Sequence, residues 1–313
     1  MTMTLAIDVT GLRKSFGDTV VLDGIDLAVT EGTVFSLLGP NGAGKTTTVQ
    51  ILSTLIPPDG GRIEVAGHDL AADPDGIRRA IGVTGQFSAV DQLLTGEENL
   101  RLMAGLHHLA RAAGRARADD LLSRFDLTEA ARKPVSAYSG GMRRRLDLAM
   151  TLMGDPRLIF LDEPTTGLDP SGRRTMWQII RGLVATGVTV FLTTQYLDEA
   201  DELADRIALL DHGHIVAEGR ADELKRRIPG GHVLLHFAGR PALEDAARLL
   251  NASTMDEKAL TLQVSSDGDA GSVRALLNDL HAAGADARHV SVHTPDLDDV
   301  FFALTGDREV AAS

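Results

Sequence analysis

Residues 39–47, GPNGAGKTT, combine glycines with a lysine and two threonines in the spacing G-x-x-x-x-G-K-T. An apolar run, VFSLL, precedes them and predicts a buried strand, and a helix is predicted after them. Glycines let backbone N–H groups turn inward and a helix start adds positive potential, so the segment can hold phosphates. Lys45 would reach the β- and γ-phosphates, and the Thr46 hydroxyl would bind Mg²⁺. The alternative, a glycine-rich turn without a ligand, is disfavoured by the strand and helix on either side.

A second run, LIFLDEP at residues 158–164, predicts a buried strand that ends in two carboxylates. Asp162 can hold Mg²⁺ through water, and Glu163, which points in another direction, can polarise an attacking water molecule. The alternative is a strand that ends in a solvated acidic turn. Beside a phosphate loop, the catalytic interpretation is favoured.

The segment YSGGMRRRL, residues 138–146, places a hydroxyl and two glycines before an arginine-rich helix. The start of such a helix offers free N–H groups to an anion. The local pattern alone favours a serine-capped helix in which Arg143, Arg144 and Arg145 form a solvated face. Only the combination with the other motifs favours anion binding.

Gln195 follows the apolar run VTVFLTT, where a buried strand is predicted to end and a helix to begin. Its amide can donate to a phosphate and accept from water, but it cannot take up a proton near neutral pH. The side chain can therefore sense a phosphate without acting as an acid or base. The alternative is a polar residue at a helix start that contacts no ligand.

The elements that would position these residues alternate between strand and helix. Two runs joined at Gly17 and Asp18 predict an antiparallel pair, and IGVTGQ predicts another buried strand. Residues 95–152 are mostly helical in pattern. This order predicts an α/β protein with a mainly parallel sheet covered on both faces, whose ligands lie at the carboxyl ends of the strands.

The best candidate for a domain boundary is the run Pro229, Gly230 and Gly231, which cannot continue a helix. We therefore predict a first domain over 1–228 and a small α+β domain of three strand–helix pairs over 229–313, with a regulatory or dimer-stabilising role. In its last helix, apolar residues share one stripe that would pack within that domain or against a second copy: Leu297, Val300, Phe301 and Leu304.

Composition excludes several classes. The chain has 313 residues, a formal net charge of -13 and no cysteine, which argues against nucleic-acid binding, disulfides and thiolate zinc sites. No apolar run reaches the roughly 20 residues that span a bilayer, and the N-terminus lacks a secretory pattern. We expect a cytoplasmic protein whose membrane function, if any, depends on another polypeptide.

The order and spacing of GPNGAGKTT, YSGGM, LIFLDEP and TTGLD resemble those of the ATP-binding-cassette (ABC) ATPases, over about residues 5–227. The resemblance implies a P-loop NTPase cassette with a mainly parallel sheet core, an antiparallel β subdomain and a helical subdomain at about 87–155. Phe16 resembles the aromatic residue that stacks on adenine. Gln86 resembles the glutamine that touches Mg²⁺ and faces the membrane subunit, and Asp169 the aspartate that links two ATP sites.

This resemblance also implies an ATPase that works as a homodimer, because each signature segment contacts the γ-phosphate of an ATP held by the opposite copy. The cofactors would be ATP and Mg²⁺, with Thr46, Gln86 and Asp162 as metal-site residues and Lys45, Glu163 and Gln195 as catalytic residues. The nucleotide-binding set is Phe16, Gly39, Pro40, Asn41, Gly42, Ala43, Gly44, Lys45, Thr46, Thr47, Gln86, Ser139, Gly140, Gly141, Met142 and Asp169.

At the position of Gln195 the ABC ATPases usually carry a histidine that reaches the γ-phosphate. The run TTQYLDEADELADRIALLDHG, together with TPDLDDVFFALTG, is similar to the ATP-binding subunits of daunorubicin-resistance-type drug exporters, in which glutamine is usual there. This narrower resemblance covers nearly the whole chain. It implies a separate transmembrane permease, export of drugs or other amphiphilic compounds, and a peripheral location on the inner face of the membrane. The alternatives are an ATP-gated switch protein without transport, a P-loop kinase and the ATPase of an importer.

Overall fold

The computed structural model describes residues 4–85, 89–227, 231–250, 254–266, 268–293 and 295–305. Its contacts divide the chain into two compact units, Met1–Ala221 and Asp222–Ser313. This division lies N-terminal to the boundary predicted from the sequence at 228 and 229. Among the described residues, no helix combines the length and apolar character that crossing a bilayer requires.

The first unit begins, over the described residues 4–85, with six strands and two short helices. Its N-terminal elements are β1 (Leu5–Phe16), β2 (Thr19–Thr30), β3 (Val34–Leu38), α1 (Lys45–Leu52), β4 (Gly60–Val65), β5 (His68–Asp69), α2 (Pro74–Ala80) and β6 (Ile81–Thr84). The predicted helical block follows as α3 (Gly96–Leu106), α4 (Arg111–Arg124) and α5 (Gly140–Thr151). The chain then alternates through β7 (Leu158–Asp162), α6 (Pro170–Ala185), β8 (Thr189–Thr194), α7 (Leu197–Leu203), β9 (Arg206–Asp211) and β10 (His214–Gly219). Helix α8 (Ala221–Arg226) starts at the last residue of this unit and otherwise belongs to the second unit.

A six-stranded sheet in the order β10-β9-β3-β8-β7-β6 forms the centre of this unit. The pairs β9–β3, β3–β8, β8–β7 and β7–β6 are parallel, and β10 pairs antiparallel with β9. Every residue of β3, β7 and β8 is buried, as expected for central strands of a parallel sheet covered on both faces. The predicted order of strand and helix is confirmed.

Alternate residues of these central strands face two different cores. On one face, Ile159 and Leu192 join a cluster with residues of α3, α4 and α5. On the other face, Phe160 and Phe191 join a cluster with β1, β2 and α1. An antiparallel sheet in the order β2-β1-β4-β5 covers this second face. The period-two alternation of strand side chains therefore places the sheet between the antiparallel subdomain and the helical subdomain.

Strand β6 differs from the sequence-based expectation. It was predicted to be buried, but it is the edge strand of the sheet and Val83 on it is 37% exposed. Burial alternates along this strand: Gly82 and Thr84 are buried, whereas Ile81 is partly buried and Val83 is exposed, so only one face of β6 is fully covered.

The second unit contains a four-stranded antiparallel sheet in the order β12-β13-β11-β14. Its elements are β11 (His232–Phe237), α9 (Arg240–Leu249), β12 (Thr254–Asp256), β13 (Thr261–Ser265), α10 (Ala270–Ala282), β14 (Ala287–His293) and α11 (Leu297–Thr305). The three predicted strand–helix pairs are present, and β12 is an additional strand. On α11, Leu297, Val300 and Phe301 are buried within the single chain, whereas Leu304 is 40% exposed.

Candidate functional site

The phosphate loop lies where the sequence predicts it, between the carboxyl end of β3 and the start of α1. Gly44 precedes the helix with a left-handed backbone, φ 111°, and no side chain caps the first turn. The first N–H groups of α1 are therefore available to an anion, as the free amides at a helix start generally are. The loop contains nine of the predicted binding residues: Gly39, Pro40, Asn41, Gly42, Ala43, Gly44, Lys45, Thr46 and Thr47.

Two glycines of this loop are required for different reasons. A Cβ atom on Gly39 would lie 2.2 Å from the carbonyl oxygen of Leu210, so the close approach of β9 excludes any side chain there. Gly42 has open space around it but a φ of 83°, which other residues adopt only with strain. Gly39 is thus required by packing and Gly42 by the path of the loop.

Lys45 is buried, with 5% of its side chain exposed. Its Nζ donates to the carbonyl oxygens of Gly39 and Pro40 at 2.7 and 3.0 Å, and it lies 3.7 Å from Glu163 Oε1. Burial lowers the pKa of Lys45, and the carboxylates of Glu163 and Asp162 oppose this shift. The ammonium is therefore held inside the loop, between its first two carbonyls and the Glu163 carboxylate.

Asp162 ends β7 and joins that strand to the phosphate loop. Its side chain accepts a hydrogen bond from Thr46 Oγ1, at 3.0 Å to Oδ2, and another from Thr193 Oγ1. Asp162 and Thr193 are register partners on β7 and β8, and Asp162 is 3% exposed. A buried carboxylate held by two hydroxyl donors lies beside the Thr46 oxygen that is predicted to bind Mg²⁺.

Glu163 leaves β7 through a left-handed backbone conformation with φ 49°. Its N–H donates to the Thr193 carbonyl at 3.1 Å, and its Oε2 accepts from Thr166 Oγ1 at 3.2 Å. A non-glycine residue in this region of backbone space carries strain of about 1–3 kcal/mol, and such residues cluster at functional sites. Because of this turn, the Glu163 carboxylate reaches Lys45 and does not continue the alternation of the strand.

Gln195 follows the last residue of β8, the strand that pairs with β3 ahead of the phosphate loop. Thr194, the preceding residue, is the register partner of Leu38, and its carbonyl accepts a 3.3 Å hydrogen bond from Gly39 N. Gln195 is partly buried. The backbone thus places it at the carboxyl edge of the sheet, adjacent to the first glycine of the loop.

Phe16 ends β1 and is 52% exposed, so its ring is not part of a hydrophobic core. Lys14 Nζ lies 5.3 Å from the centre of its ring. An exposed ring at a strand end can stack on a planar ligand. Gln86, which the sequence predicts to touch Mg²⁺, lies outside the described residues.

The signature segment begins α5. Ser139 is the N-cap, and its Oγ accepts from Met142 N at 3.3 Å. Asp169 caps α6 in the same way, with Gly172 N donating to its Oδ1 at 2.9 Å. Both caps line one cavity of about 500 Å³, together with Gly140, Gly141 and Met142. No described residue of the phosphate loop lines this cavity, so the two predicted halves of the site are separate within one chain.

Arg144 is far less exposed than the local sequence pattern predicted. The helix pattern favoured a solvated arginine face, but only 11% of the Arg144 side chain is exposed. Its guanidinium donates to backbone carbonyls at the ends of β6 and β7. Burial lowers the pKa of Arg144, and Asp147 and Asp162 oppose the shift. No signal in the local sequence separates it from its neighbours.

Glu199 on α7 was not identified from the sequence either. It is fully buried, and its Oε1 accepts from Trp177 Nε1 of α6 at 3.1 Å. Burial raises the pKa of Glu199, and the nearby side chains of Thr194, Thr165 and Trp177 oppose this shift. The carboxyl group thus lies close to Thr165, which follows Glu163, to Thr194, which precedes Gln195, and to Trp177 on α6.

A parallel sheet with a phosphate loop, two carboxylates on the neighbouring strand end and a glycine-rich helix start defines a nucleotide-binding cassette. A sequence profile described as ABC transporter matches residues 22–166. A solved ATP-binding subunit of an ABC transporter has a TM-score of 0.64 at 30% identity, and the match covers 72% of this chain and 93% of that chain.

Two characterised relatives match nearly the full length. The daunorubicin resistance ATP-binding protein DrrA3 of Streptomyces coeruleorubidus is 50% identical over 304 residues, 96% of this chain and 96% of that protein. The daunorubicin/doxorubicin resistance ATP-binding protein DrrA of Streptomyces peucetius is 47% identical over 311 residues, 97% of this chain and 93% of that protein. The chain therefore belongs to the ABC transporter ATP-binding subunits of the daunorubicin-resistance family. The family and fold predicted from the sequence are confirmed.

Proposed function

We propose that the protein is the ATP-hydrolysing subunit of an exporter, and that two copies bind MgATP between them to drive a separate membrane permease. The observation that carries this proposal is the cluster of Lys45, Thr46, Asp162 and Glu163, which joins a phosphate loop to two carboxylates by direct contacts. Members of this family are in general ATPases.

ATP would be held by the start of α1, Lys45, Phe16 and Gln195. The N–H groups at the start of α1 and the ammonium of Lys45 would bind the phosphates, because both supply positive charge or donors at short range. The exposed ring of Phe16 would stack on adenine. Gln195 would donate from its amide to the γ-phosphate, since it follows the residue that is hydrogen bonded to Gly39.

The residues around Thr46 fit a magnesium ion. Mg²⁺ prefers oxygen ligands and keeps part of its water shell, so a hydroxyl plus one carboxylate, together with phosphate oxygens, is a suitable set. Thr46 and Asp162 supply these oxygens in contact with each other, and Gln86 is the third predicted member. The described residues contain no cluster of three His, Asp or Glu side chains that would hold a metal alone. When bound, Mg²⁺ would neutralise charge on the phosphates.

Glu163 is the group we assign to the attacking water. Its carboxylate is close to Lys45, and its backbone turn separates it from Asp162, so the two acids can serve different roles. As a general base it would accept a proton from the water molecule that attacks the γ-phosphate in line, while the bond from the γ-phosphorus to the bridging oxygen breaks and ADP leaves. Lys45 would stabilise the negative charge that develops on the transferred group.

The second copy would complete each site. Ser139, Gly140, Gly141 and Met142 present a helix start to a cavity that no described residue of the phosphate loop lines. A donor-rich helix start of this kind fits a γ-phosphate that another subunit holds. Asp169 borders the same cavity and would lie between the two ATP sites. ATP would then hold two copies together, and hydrolysis would release them.

The transported compounds and the permease are inferred from the relatives, whose printed names specify daunorubicin and doxorubicin resistance. We propose that closure of the ATP-bound dimer drives a permease that exports drugs or other amphiphilic compounds. The subunit would be peripheral on the inner face of the membrane. The C-terminal domain would regulate or stabilise the dimer.

The test is the Glu163→Gln variant. We expect hydrolysis to fall at least about 100-fold, the lower limit of what a general base contributes, and MgATP to trap a dimer that is visible by light scattering. Glu129→Gln, which removes an exposed carboxylate, is the matched control and should hydrolyse ATP normally. A Glu163→Gln protein that hydrolyses normally, or one that stays monomeric with saturating MgATP, would refute the proposed mechanism.

The export role has its own experiment. The chain would be coexpressed with the product of a neighbouring reading frame that encodes several apolar segments of about 20 residues. Copurification from membranes and ATPase stimulation by an anthracycline would support export. Normal ATP-dependent dimerisation without any membrane partner or drug response would favour an ATP-gated switch protein.

A further inference from the structure

Arg144 on α5 directs its guanidinium at the backbone where two strands end. Its Nε donates to Pro164 O at 3.0 Å, and its Nη2 donates to Asp162 O and Glu163 O at 2.9 and 3.2 Å. Its Nη1 donates to Gly85 O at 2.8 Å. One side chain of the signature helix therefore holds three consecutive carbonyls around the catalytic carboxylate and one carbonyl at the end of β6.

Only an arginine can make this set of contacts. Its planar guanidinium carries five N–H donors in a fixed arrangement, whereas lysine has three on a single atom. The group is nearly buried and also lies 3.5 Å from Asp147, which is itself buried. Removal of the guanidinium would take one donor away from each of these four carbonyls in a protected site.

The carbonyls that Arg144 holds belong to a strained turn. Glu163 has φ 49°, and its neighbours Asp162 and Pro164 define the direction in which the chain leaves β7. Strained backbone persists only when the surrounding structure overdetermines it. Arg144 binds the carbonyls of all three residues, so together with the contacts of Thr193 and Thr166 it holds this turn and the direction of the Glu163 carboxylate.

We propose that Arg144 is a positioning residue for Glu163, and that it couples the placement of this carboxylate to the signature helix. The proposal rests on the proposed function, in which Glu163 is the general base. Ser139 caps the same helix five positions before Arg144. In the ATP-bound dimer, a shift of α5 caused by the γ-phosphate of the partner's nucleotide would therefore reach the Glu163 that acts on this chain's own ATP.

This coupling would make hydrolysis at each site depend on the nucleotide in the other. Two coupled sites give a Hill coefficient of up to about 2, and uncoupled sites give about 1. A purely structural role of Arg144 would lower stability without changing this coefficient. Cooperativity is therefore a readout that distinguishes positioning from folding.

The first experiment compares Arg144→Met with Arg117→Met. Arg117 on α4 donates to the carbonyl of Leu152 at 3.0 Å and pairs with Asp155, so its loss removes the same kind of contact at a distance from Glu163. For Arg144→Met we expect kcat to fall about 10- to 100-fold, as misplacement of a reacting group does, with the ATP affinity within about twofold and reduced cooperativity. Arg117→Met should change none of these. A normal kcat or Hill coefficient for Arg144→Met would overturn the proposal.

The second experiment places Arg144→Met in the Glu163→Gln background and measures single-turnover hydrolysis. If Arg144 acts through Glu163, the double variant should be no slower than Glu163→Gln alone, because residues that act as a unit are not additive. Additive losses would overturn the positioning role. A Glu163→Gln protein with a normal rate would instead show that the proposed base is wrong. If Arg144→Met does not fold, both experiments would use Arg144→Lys instead. This variant keeps the charge but not the planar guanidinium, and we expect a smaller fall in kcat.

Discussion

Thr46 Oγ1 donates a 3.0 Å hydrogen bond to Asp162 Oδ2, although 116 positions separate the two residues in the chain. The bond links the start of α1 directly to the end of β7. Preorganisation of this kind reduces the rearrangement that must occur when a charged ligand arrives. The phosphate loop and the carboxylate of Asp162 are thus directly connected.

Asp162→Asn is expected to separate magnesium binding from nucleotide binding. Asparagine can still accept from Thr46 and Thr193, but it lacks the negative charge that favours Mg²⁺. We expect hydrolysis to fall about 10- to 100-fold and its magnesium requirement to rise, as for other outer-shell metal partners, while metal-free ATP binding is retained. Titration of ATPase activity with Mg²⁺ measures this. The control is Asp155→Asn, which alters an exposed side chain shortly before β7 and should leave the magnesium dependence of hydrolysis unchanged.

Phe16→Ala should weaken ATP binding by the loss of stacking, which is worth about 1–3 kcal/mol per base. Phe16→Trp should retain affinity because an indole ring also stacks. Equilibrium titration with a fluorescent ATP analogue gives the dissociation constants. Val20→Ala on β2, which removes another exposed apolar side chain of the same hairpin, serves as the control. Equal affinity of the Phe16→Ala and Val20→Ala proteins would exclude stacking.

Gln195→Ala should reduce hydrolysis strongly, whereas Gln195→His should be tolerated. Both glutamine and histidine can donate an N–H to the γ-phosphate, and alanine cannot. Loss of one such donor typically costs about 100- to 1,000-fold in kcat. The pH dependence adds a second readout: the histidine variant should acquire a titration near pH 6.5 that the glutamine protein lacks. Wild-type activity in Gln195→Ala would exclude a γ-phosphate contact.

Glu199→Gln should stabilise the protein at neutral pH. Because burial raises the pKa of this carboxyl in the folded state, ionisation favours the unfolded chain at every pH above its unfolded value of about 4.3. The increase in the free energy of unfolding should therefore be absent near pH 4, and it should grow as the pH rises through the pKa of Glu199 in the folded protein. Urea unfolding followed by the fluorescence of Trp177, the single tryptophan, measures it at several pH values.

The control for this measurement is Glu202→Gln on the same helix. Glu202 pairs with Arg181 at the surface, where about half of each side chain is exposed. Exposed pairs contribute little to stability, so this variant should show no gain that grows with pH. A constant difference between Glu199→Gln and the wild type at all pH values would show that packing, not ionisation, causes the effect.

The sequence predicted those parts of the site in which strand, loop and helix are neighbours along the chain. The turn from β3 through the glycines to Lys45 is such a case, and so is the strand that ends at Asp162. Strand order is different, because it depends on pairing between distant segments. The runs around Val83 and Phe160 are both apolar, but only the first forms an edge strand.

Arg144 shows the same limit at the level of one side chain. It is one of three consecutive arginines on a helix, and nothing in that run indicates which of them donates to the carbonyls around Glu163. Its acceptors come from residues 85 and 162–164, so its role exists only after the chain has folded. Glu199 is similar, since an acidic helix residue normally faces solvent and its partner Trp177 lies on another helix.

The carbonyl of Leu210 occupies the space in which a side chain at Gly39 would have to lie. This requirement comes from the architecture and is independent of any ligand. A duplicated gene that drifts after losing nucleotide binding would still keep that glycine, while Lys45 would be free to change. Inspection of Lys45 together with Glu163 therefore identifies an inactive paralogue, whereas the presence of the first glycine does not show that a cassette is active.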